Sequence, residues 1–376
     1  MAELNALLAQ CASIAASPAA QLKAAAAQGR KVIGVMPYFC PEELVYAAGM
    51  LPFGLWGAET QVDLAKRYFP AFYCSMVQTT LEMGLRGELD ALSGIMIPIS
   101  CDTLKGMADN WKYGVGDKIP VISVCFGLNH RVDAAAAYNT AQLRRILSRL
   151  EEIAGRTVSA QDVADAVALC NENRAVCLRF AALAGAHPEL VSPAARSAVL
   201  KAGYFMDRAA HSALVGQIND ALAAAPEQPW NGLKLVTTGI LADMPELLKL
   251  LEDNRIAVAA DQVAHESVSN RTPTPVTDDP LVGIAQRLDR LCGCSVLYDP
   301  DKQRGRELVR LAQDARADGV LWVMTKFCDP EEYDFVPVRN MLEAAGIPLL
   351  CVEIDQQMVN YEQARSAVET FADILR

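Results

Sequence analysis

Short apolar runs rich in branched residues recur along the chain, and helical patterns separate them. KVIGVM at 31–36, GIMIPIS at 94–100 and GVLWVMTKF at 319–327 are clear examples. Runs of this length and composition predict buried strands. Because helical patterns lie between them, the chain predicts strand–helix–strand units, which build parallel sheets. Further runs of the same kind lie at 51–56, 119–126, 234–240, 255–260, 294–299 and 347–354.

The early and late parts of the chain share three landmarks in the same order. A Pro-Glu pair that opens a helical pattern occurs at Pro41 and again at Pro245, 204 residues later. A strand that ends in Cys-Asp occurs at Cys101 and again at Cys328, 227 residues later. An Ile-Pro strand occurs at Pro120 and recurs 228 residues later. The order predicts two copies of one α/β domain, with an insertion in the second copy between residues 246 and 328. The simpler alternative is that all α/β proteins repeat such units.

Composition divides the chain into four segments. Residues 1–30 carry an amphipathic, Ala-rich helical pattern, and residues 133–230 are rich in Ala, Leu, Arg and Glu without strand-type runs. The α/β patterns occupy 31–132 and 231–376. We therefore expect an α/β fold with two similar doubly wound, mostly parallel domains that face each other across a cleft. A helical N-terminal segment and a helical middle segment complete it.

Charge and motifs exclude several classes of function. The 45 Asp and Glu residues exceed the 34 Lys and Arg residues, giving a net charge of −11. Such a chain repels phosphate backbones, so we expect no nucleic-acid partner. No apolar run is long enough to span a bilayer, and the N-terminus lacks the order of a signal peptide, so we expect a cytoplasmic protein with no membrane association. Neither usual nucleotide phosphate loop occurs, and no Gly-x-Ser-x-Gly elbow occurs.

Three of the 11 cysteines stand out by position. In a reducing compartment, an odd number without a regular framework predicts thiols or metal ligands. Cys101 and Cys328 end predicted parallel strands, where open sheets bind ligands, and facing domains would bring them together in the cleft. Cys74 lies in the first turn of a helix predicted over 71–86, and the N-terminal ends of helices favour the thiolates of Cys74 and Cys101. Three thiolates without an obvious fourth partner suit an iron–sulfur cluster with one open iron.

Other chemistry-bearing residues favour structural roles. The chain has no Cys-x-x-Cys pair, and none of its four histidines stands at ligand spacing from a cysteine. Asp102 and Asp329 are expected to be N-caps of the helices that follow them, with a role beside the cluster as the alternative. Four carboxylates are expected to be helix-start charges, with acid–base or ligand roles as the alternative: Glu42, Glu43, Glu331 and Glu332. The remaining cysteines are expected to be structural: Cys11, Cys40, Cys125, Cys170, Cys177, Cys292, Cys294 and Cys351.

Several segments, taken in order over nearly the whole chain, resemble the 2-hydroxyacyl-CoA dehydratase family. The most specific is KFCDPEEYD at 326–334, which resembles the smaller, β-type subunit. The other matching segments are CPEELVYAAGMLPFGLWG (40–57), FPAFYCSMVQTTLEMGL (69–85), SCDTLKGMADNWK (100–112) and GILADMPELLKLLEDN (239–254).

The resemblance implies an αβ heterodimer in which each subunit holds a [4Fe–4S] cluster between two α/β domains. Matched residue by residue, the three cluster ligands are Cys74, Cys101 and Cys328, and no fourth ligand transfers. An acyl-CoA substrate would bind mainly at the α-type partner, while the β-type cluster would relay or store an electron. A separate ATP-hydrolysing iron–sulfur activator would supply that electron. Some family members bind a flavin, for which no residue here is assigned.

The implied reaction converts (R)-2-hydroxyacyl-CoA to 2-enoyl-CoA and water, a step of anaerobic amino-acid fermentation. One electron added to the thioester gives a ketyl radical anion, which expels the hydroxyl group and makes the β-proton acidic. The electron then returns. Two alternatives stay open: a subunit of a benzoyl-CoA reductase-type enzyme, and a non-catalytic iron–sulfur scaffold. The acyl group is also open.

Overall fold

In the part of the chain that the structure describes, eight parallel strands form the framework. The computed structural model describes residues 2–36, 39–226 and 228–376. The first sheet has the order β2-β1-β3-β4, and the second has the matching order β6-β5-β7-β8. The strands are β1 (Val32–Val35), β2 (Leu51–Gly54), β3 (Gly94–Pro98), β4 (Val121–Val124), β5 (Leu233–Gly239), β6 (Ile256–Val263), β7 (Gly319–Thr325) and β8 (Leu349–Ile354). The predicted α/β class and the pair of similar parallel sheets are confirmed.

Helices precede, separate and cover the strands. The helices of the first part are α1 (Ala2–Ala15), α2 (Pro18–Ala27), α3 (Glu42–Ala47), α4 (Ser75–Leu85) and α5 (Asp102–Gly114). The strand-free middle part holds α6 (Ala135–Ala154), α7 (Ala160–Ala186), α8 (Pro193–Ala202) and α9 (Arg208–Ala223). The last part holds α10 (Pro245–Asp253), α11 (Pro280–Asp289), α12 (Gln303–Asp314), α13 (Asp329–Ala344) and α14 (Glu362–Leu375).

Burial explains why the strands read as continuous apolar runs. Every residue of β3 and of β7 is buried, as expected for parallel strands that are covered on both faces.

Local signals fix several helix starts. Ser159 and Asp162 form a reciprocal capping box at the start of α7, and Ser192 caps α8 just before Pro193 at its first position. These are favourable residues at helix N-termini.

The two α/β parts differ mainly between their second and third strands. One short 3₁₀ helix and α4 lie between β2 and β3, whereas one short 3₁₀ helix, α11 and α12 lie between β6 and β7. This extra helix falls within the predicted insertion. The middle helices contact both parts, since α7 packs against α3 and β6, and α1 packs against α8 and α9. The four segment boundaries stay predictions, and residues 1, 37, 38 and 227 within them lie outside the described residues.

The predicted strand at 294–299 is wrong. These residues form turns, with the Leu297 N–H bonded to the Cys294 carbonyl. Val296 and Leu297 pack instead on a small apolar cluster that includes Leu288 and Leu291. The run is therefore apolar because it covers a core, and it has no strand neighbour in either sheet.

In the described part of the chain, no helix is both long and apolar enough to cross a membrane.

Candidate iron–sulfur centre

Cys74, Cys101 and Cys328 each occupy the N-cap position of a helix. Cys74 precedes α4, Cys101 precedes α5 and Cys328 precedes α13. The predicted helix 71–86 therefore begins only at Ser75, and Cys74 lies just before its first turn. The Cys101 sulfur accepts a hydrogen bond from the Leu104 N–H at 3.5 Å, as an N-cap side chain does.

The predicted N-cap roles of Asp102 and Asp329 are wrong. Each aspartate is the first residue of its helix, and the preceding cysteine is the N-cap. An acidic residue in the first helical turn is still favourable because it faces the positive end of the helix dipole. The prediction failed because aspartate is a common N-cap and cysteine is not.

Two of the three thiols are buried and the third is half-buried. Cys74 is 7% exposed and Cys328 is 8% exposed, while Cys101 is half-buried. Burial raises the pKa of Cys74 to about 12, and the charge of Cys101 raises it further. Burial also raises the pKa of Cys328 far above its usual range, with contributions from Glu331, Cys74 and Cys101. The pKa of Cys328 thus responds to the charges of both other thiols, which are remote from it in sequence.

The backbone around Cys328 is held by a buried ion pair. Its N–H bonds to the Thr325 carbonyl at the end of β7, and its own carbonyl accepts the Glu331 N–H at 2.9 Å. The Glu331 carboxylate lies 3.0 Å from the Arg304 guanidinium, and the Thr325 N–H also donates to this carboxylate. Phe327 adopts a left-handed conformation with φ of 62°. Thus the chain turns sharply between β7 and α13 and the ion pair fixes that turn.

Gln356, which sequence reasoning missed, holds the start of α4 against the second sheet. It follows β8, and its backbone N–H donates to the Ser75 hydroxyl at 3.1 Å. Its side-chain amide donates to the Trp56 carbonyl at 2.7 Å, and its amide oxygen accepts the Thr79 hydroxyl at 3.0 Å. The only sequence signal is a polar residue just beyond the predicted strand 347–354.

The three thiols are chemically suited to an iron–sulfur cluster. Among the described residues, no group of three His, Cys, Asp or Glu side chains is close enough to bind one ion. A cubane bonds each sulfur to a different iron, so its ligands stand farther apart than donors around one ion. Three thiols are the ligands such clusters use. The N-terminal ends of three helices also offset the negative charge of thiolates.

Three further candidates, Cys40, Glu42 and Glu43, have partners elsewhere in the fold. The Cys40 thiol is buried and donates to the Met96 carbonyl at 3.5 Å. Glu42 and Glu43 at the start of α3 pair with arginines of the middle helices, Glu42 with Arg208 and Glu43 with Arg174. As the helix-start interpretation predicts, Glu42 and Glu43 lie in the first turn of α3, and Glu331 and Glu332 lie in the first turn of α13.

Comparison with known proteins places the chain. The family model described as 2-hydroxyglutaryl-CoA dehydratase, D-component, matches residues 37–375. The chain belongs to this family. It is 44% identical over 347 residues to the (R)-phenyllactyl-CoA dehydratase beta subunit of Clostridium sporogenes, covering 92% of each chain. It is 37% identical to the beta subunit of (R)-2-hydroxyglutaryl-CoA dehydratase from Acidaminococcus fermentans, over 99% of this chain and 100% of that one. A more distant relative, one of the subunits of benzoyl-CoA reductase from Thauera aromatica, is 24% identical over 92% of this chain and 91% of its own.

Proposed function

We propose that this chain is the β-type subunit of an (R)-2-hydroxyacyl-CoA dehydratase, a hydro-lyase that forms 2-enoyl-CoA and water. The observation that carries the proposal is the near full-length match to dehydratase beta subunits at 35–44% identity. Those relatives are named for phenyllactyl, 2-hydroxyglutaryl and lactoyl substrates, so the family match leaves the acyl group open. The benzoyl-CoA reductase subunit, at 24% identity, supports ring reduction less strongly.

Cys74, Cys101 and Cys328 would hold a [4Fe–4S] cluster. Their mutual electrostatic influence and their shared N-cap positions support this assignment. When bound, the cluster would supply one-electron chemistry at low potential, which the dehydration needs in order to activate the thioester. No flavin site is assigned.

The protein residues would prepare the site in three ways. The thiols must lose protons on binding iron, which costs free energy because burial disfavours the thiolate. The positive ends of α4, α5 and α13 offset part of that cost. Burial of Cys74 and Cys328 keeps bulk water from the sulfurs, and the Arg304–Glu331 pair keeps Cys328 in position.

Two partners follow from the proposal. An α-type subunit would complete the heterodimer and provide most of the acyl-CoA site. An ATP-hydrolysing iron–sulfur activator would deliver the electron, which agrees with the lack of either usual nucleotide phosphate loop in this sequence.

Anaerobic co-production with an α-type partner tests the proposal. We compare Cys328→Ala with Cys11→Ala, which removes a buried thiol of the helical core instead. Iron, sulfide and visible absorbance are measured on the separated chain, and turnover is measured with activator, ATP, reductant and a panel of 2-hydroxyacyl-CoA thioesters plus benzoyl-CoA. We expect Cys328→Ala to lose the cluster and the dehydration together. Full dehydration without the cluster would overturn the relay role, and turnover of benzoyl-CoA alone would favour the reductase.

A further inference from the structure

A second feature of the molecule is a cavity of about 350 Å³ between the N-terminal helices and the two α/β parts. The link between α1 and α2 forms one wall, and residues following β2 form another. None of the cysteines at 74, 101 and 328 lines it. Its volume lies in the range of small-molecule sites. Its apolar lining includes Leu22, Phe53, Trp56, Met83, Phe205 and Met244.

His265 is the polar group that makes this cavity a candidate binding site. It is 1% exposed and lines the cavity. Neither of its ring nitrogens has a hydrogen-bond partner among the described residues. One ring face stacks on Tyr204 at 4.9 Å, and the Trp56 ring meets it edge-on at 5.0 Å. Because buried polar atoms are nearly always paired, an orphaned imidazole in a cavity wall indicates a missing partner.

The protonation state of His265 defines what that partner offers. Burial lowers its pKa to about 4, although the charge of Asp243 opposes the shift. The ring is therefore neutral near pH 7. A neutral imidazole presents one N–H donor and one acceptor nitrogen. A hydroxyl or amide group can pair with either nitrogen, whereas a carbonyl group can only accept from the N–H.

The charges around the cavity disfavour an anionic ligand. Lys201 also lines it, but its ammonium group already pairs with Asp243 at 2.6 Å. Glu59 and Glu88 add negative charge. An anion would thus meet no unpaired cation among the lining residues, and the acidic groups would repel it. The aromatic side chains in the wall favour a flat apolar ring instead.

We propose that this cavity binds an uncharged aromatic molecule whose hydroxyl or carbonyl group hydrogen-bonds to His265. The occupant is chemically unlike an acyl-CoA, whose phosphates carry several negative charges. The site is separate from the proposed electron relay, and the proposal does not depend on that function.

Binding of matched probes to the full-length chain tests the proposal without activator or CoA. We use p-cresol and toluene, which differ by one hydroxyl, together with benzoate as an anionic ring, and follow dissociation constants by ligand-observed NMR. We expect p-cresol to bind about tenfold more tightly than toluene, because one hydrogen bond is added in a buried site. Benzoate should bind more weakly than p-cresol.

Two kinds of variant locate the site. His265→Phe keeps an aromatic ring but removes both nitrogens, and it should bring the p-cresol and toluene affinities together. Ala19→Trp places a large side chain in the cavity wall, whereas Ala20→Trp alters the next exposed position of α2, outside the lining. Only Ala19→Trp should reduce binding of both rings, which keeps the test decisive if His265→Phe does not fold.

The contrary outcomes are equally definite. Failure of both rings to bind would overturn the site. Equal affinities for p-cresol and toluene in the unaltered chain would overturn the role of His265. Tighter binding of benzoate would overturn the uncharged class, and equal losses in Ala19→Trp and Ala20→Trp would overturn the location.

Discussion

Gln356 joins the two α/β parts through a hydrogen bond of 2.7 Å from its side-chain amide to the Trp56 carbonyl. Gln356 follows β8 of the second sheet, and Trp56 follows β2 of the first. The same glutamine contacts Ser75 and Thr79 in α4, the helix that Cys74 caps. Gln356 is therefore one of the residues that hold the helix after Cys74 against the second sheet.

Replacing Gln356 by leucine should destabilise the protein and loosen the cysteine site. The Trp56 carbonyl would be left buried without this partner, which costs about 1–3 kcal/mol. Urea denaturation measures the loss in free energy of unfolding, and iron retained under a dilute chelator measures the effect on the site. Gln313→Leu, at an exposed position of α12, is the control and should change stability by less than about 0.5 kcal/mol. Equal iron retention in both variants would refute the positioning role.

Gly57→Ala should lower the free energy of unfolding much more than Gly346→Ala, although the backbone at both positions has a positive φ. Gly57 has φ of +80°, and an added Cβ would collide with the Gln356 amide and the Thr79 hydroxyl. Gly346 has φ of +67° and no atom near its Cβ position. Gly346→Ala should cost about 1–2 kcal/mol from backbone conformation alone. Thermal or urea unfolding should show a larger loss of stability for Gly57→Ala. Equal losses would mean that the Gln356 side chain moves aside without a cost in free energy.

Arg304→Met should destabilise the turn that carries Cys328. Glu331 is only 2% exposed, and the methionine would leave its carboxylate buried without this guanidinium. Breaking a buried pair from one side costs about 3–5 kcal/mol. The double variant Arg304→Met/Glu331→Leu removes that stranded charge and should recover part of the loss. A double-mutant cycle in urea measures the coupling, and additive losses would show that the pair does not act as a unit.

Local patterns in the sequence were sufficient to predict the two sheets, but they could not predict the contacts around the cysteine site. The wholly buried β7 is almost entirely apolar and is recognisable by itself, whereas 294–299 contains only a short apolar run that covers a core cluster. Strand-end logic and family resemblance both selected Cys101 and Cys328. Neither could find Gln356, because its partners lie about 280 to 300 positions away and no local spacing encodes them.

The orphaned imidazole of His265 was also beyond sequence reasoning. A lone histidine is more often paired than free, and its burial depends on rings supplied by Trp56 and Tyr204 from distant parts of the chain. The prediction of the N-cap residues failed for a different reason. The preference for aspartate at the N-cap is an average over many helices. A cysteine whose sulfur has another role can occupy the N-cap of one helix without changing that average.

The Glu43 carboxylate should make stability depend on pH in the acidic range. Burial opposes its ionisation, but the charges of Arg174 and Arg287 and its hydrogen bonds outweigh burial and lower its pKa from 4.5 to about 2. A pKa that is lower in the folded state stabilises the fold above pH 4.5, and this contribution is lost as the pH falls toward 2.

The difference in unfolding free energy between the unaltered chain and Glu43→Gln should therefore shrink by about 2 kcal/mol from pH 6 to pH 3. Urea denaturation at intervals across that range measures it. Glu369→Gln, at an exposed position of α14, is the control. If the Glu43→Gln difference stayed constant with pH, the Arg174 pair would not be the source of acid sensitivity, because an ionisable group that titrates differently in the two states must produce a slope.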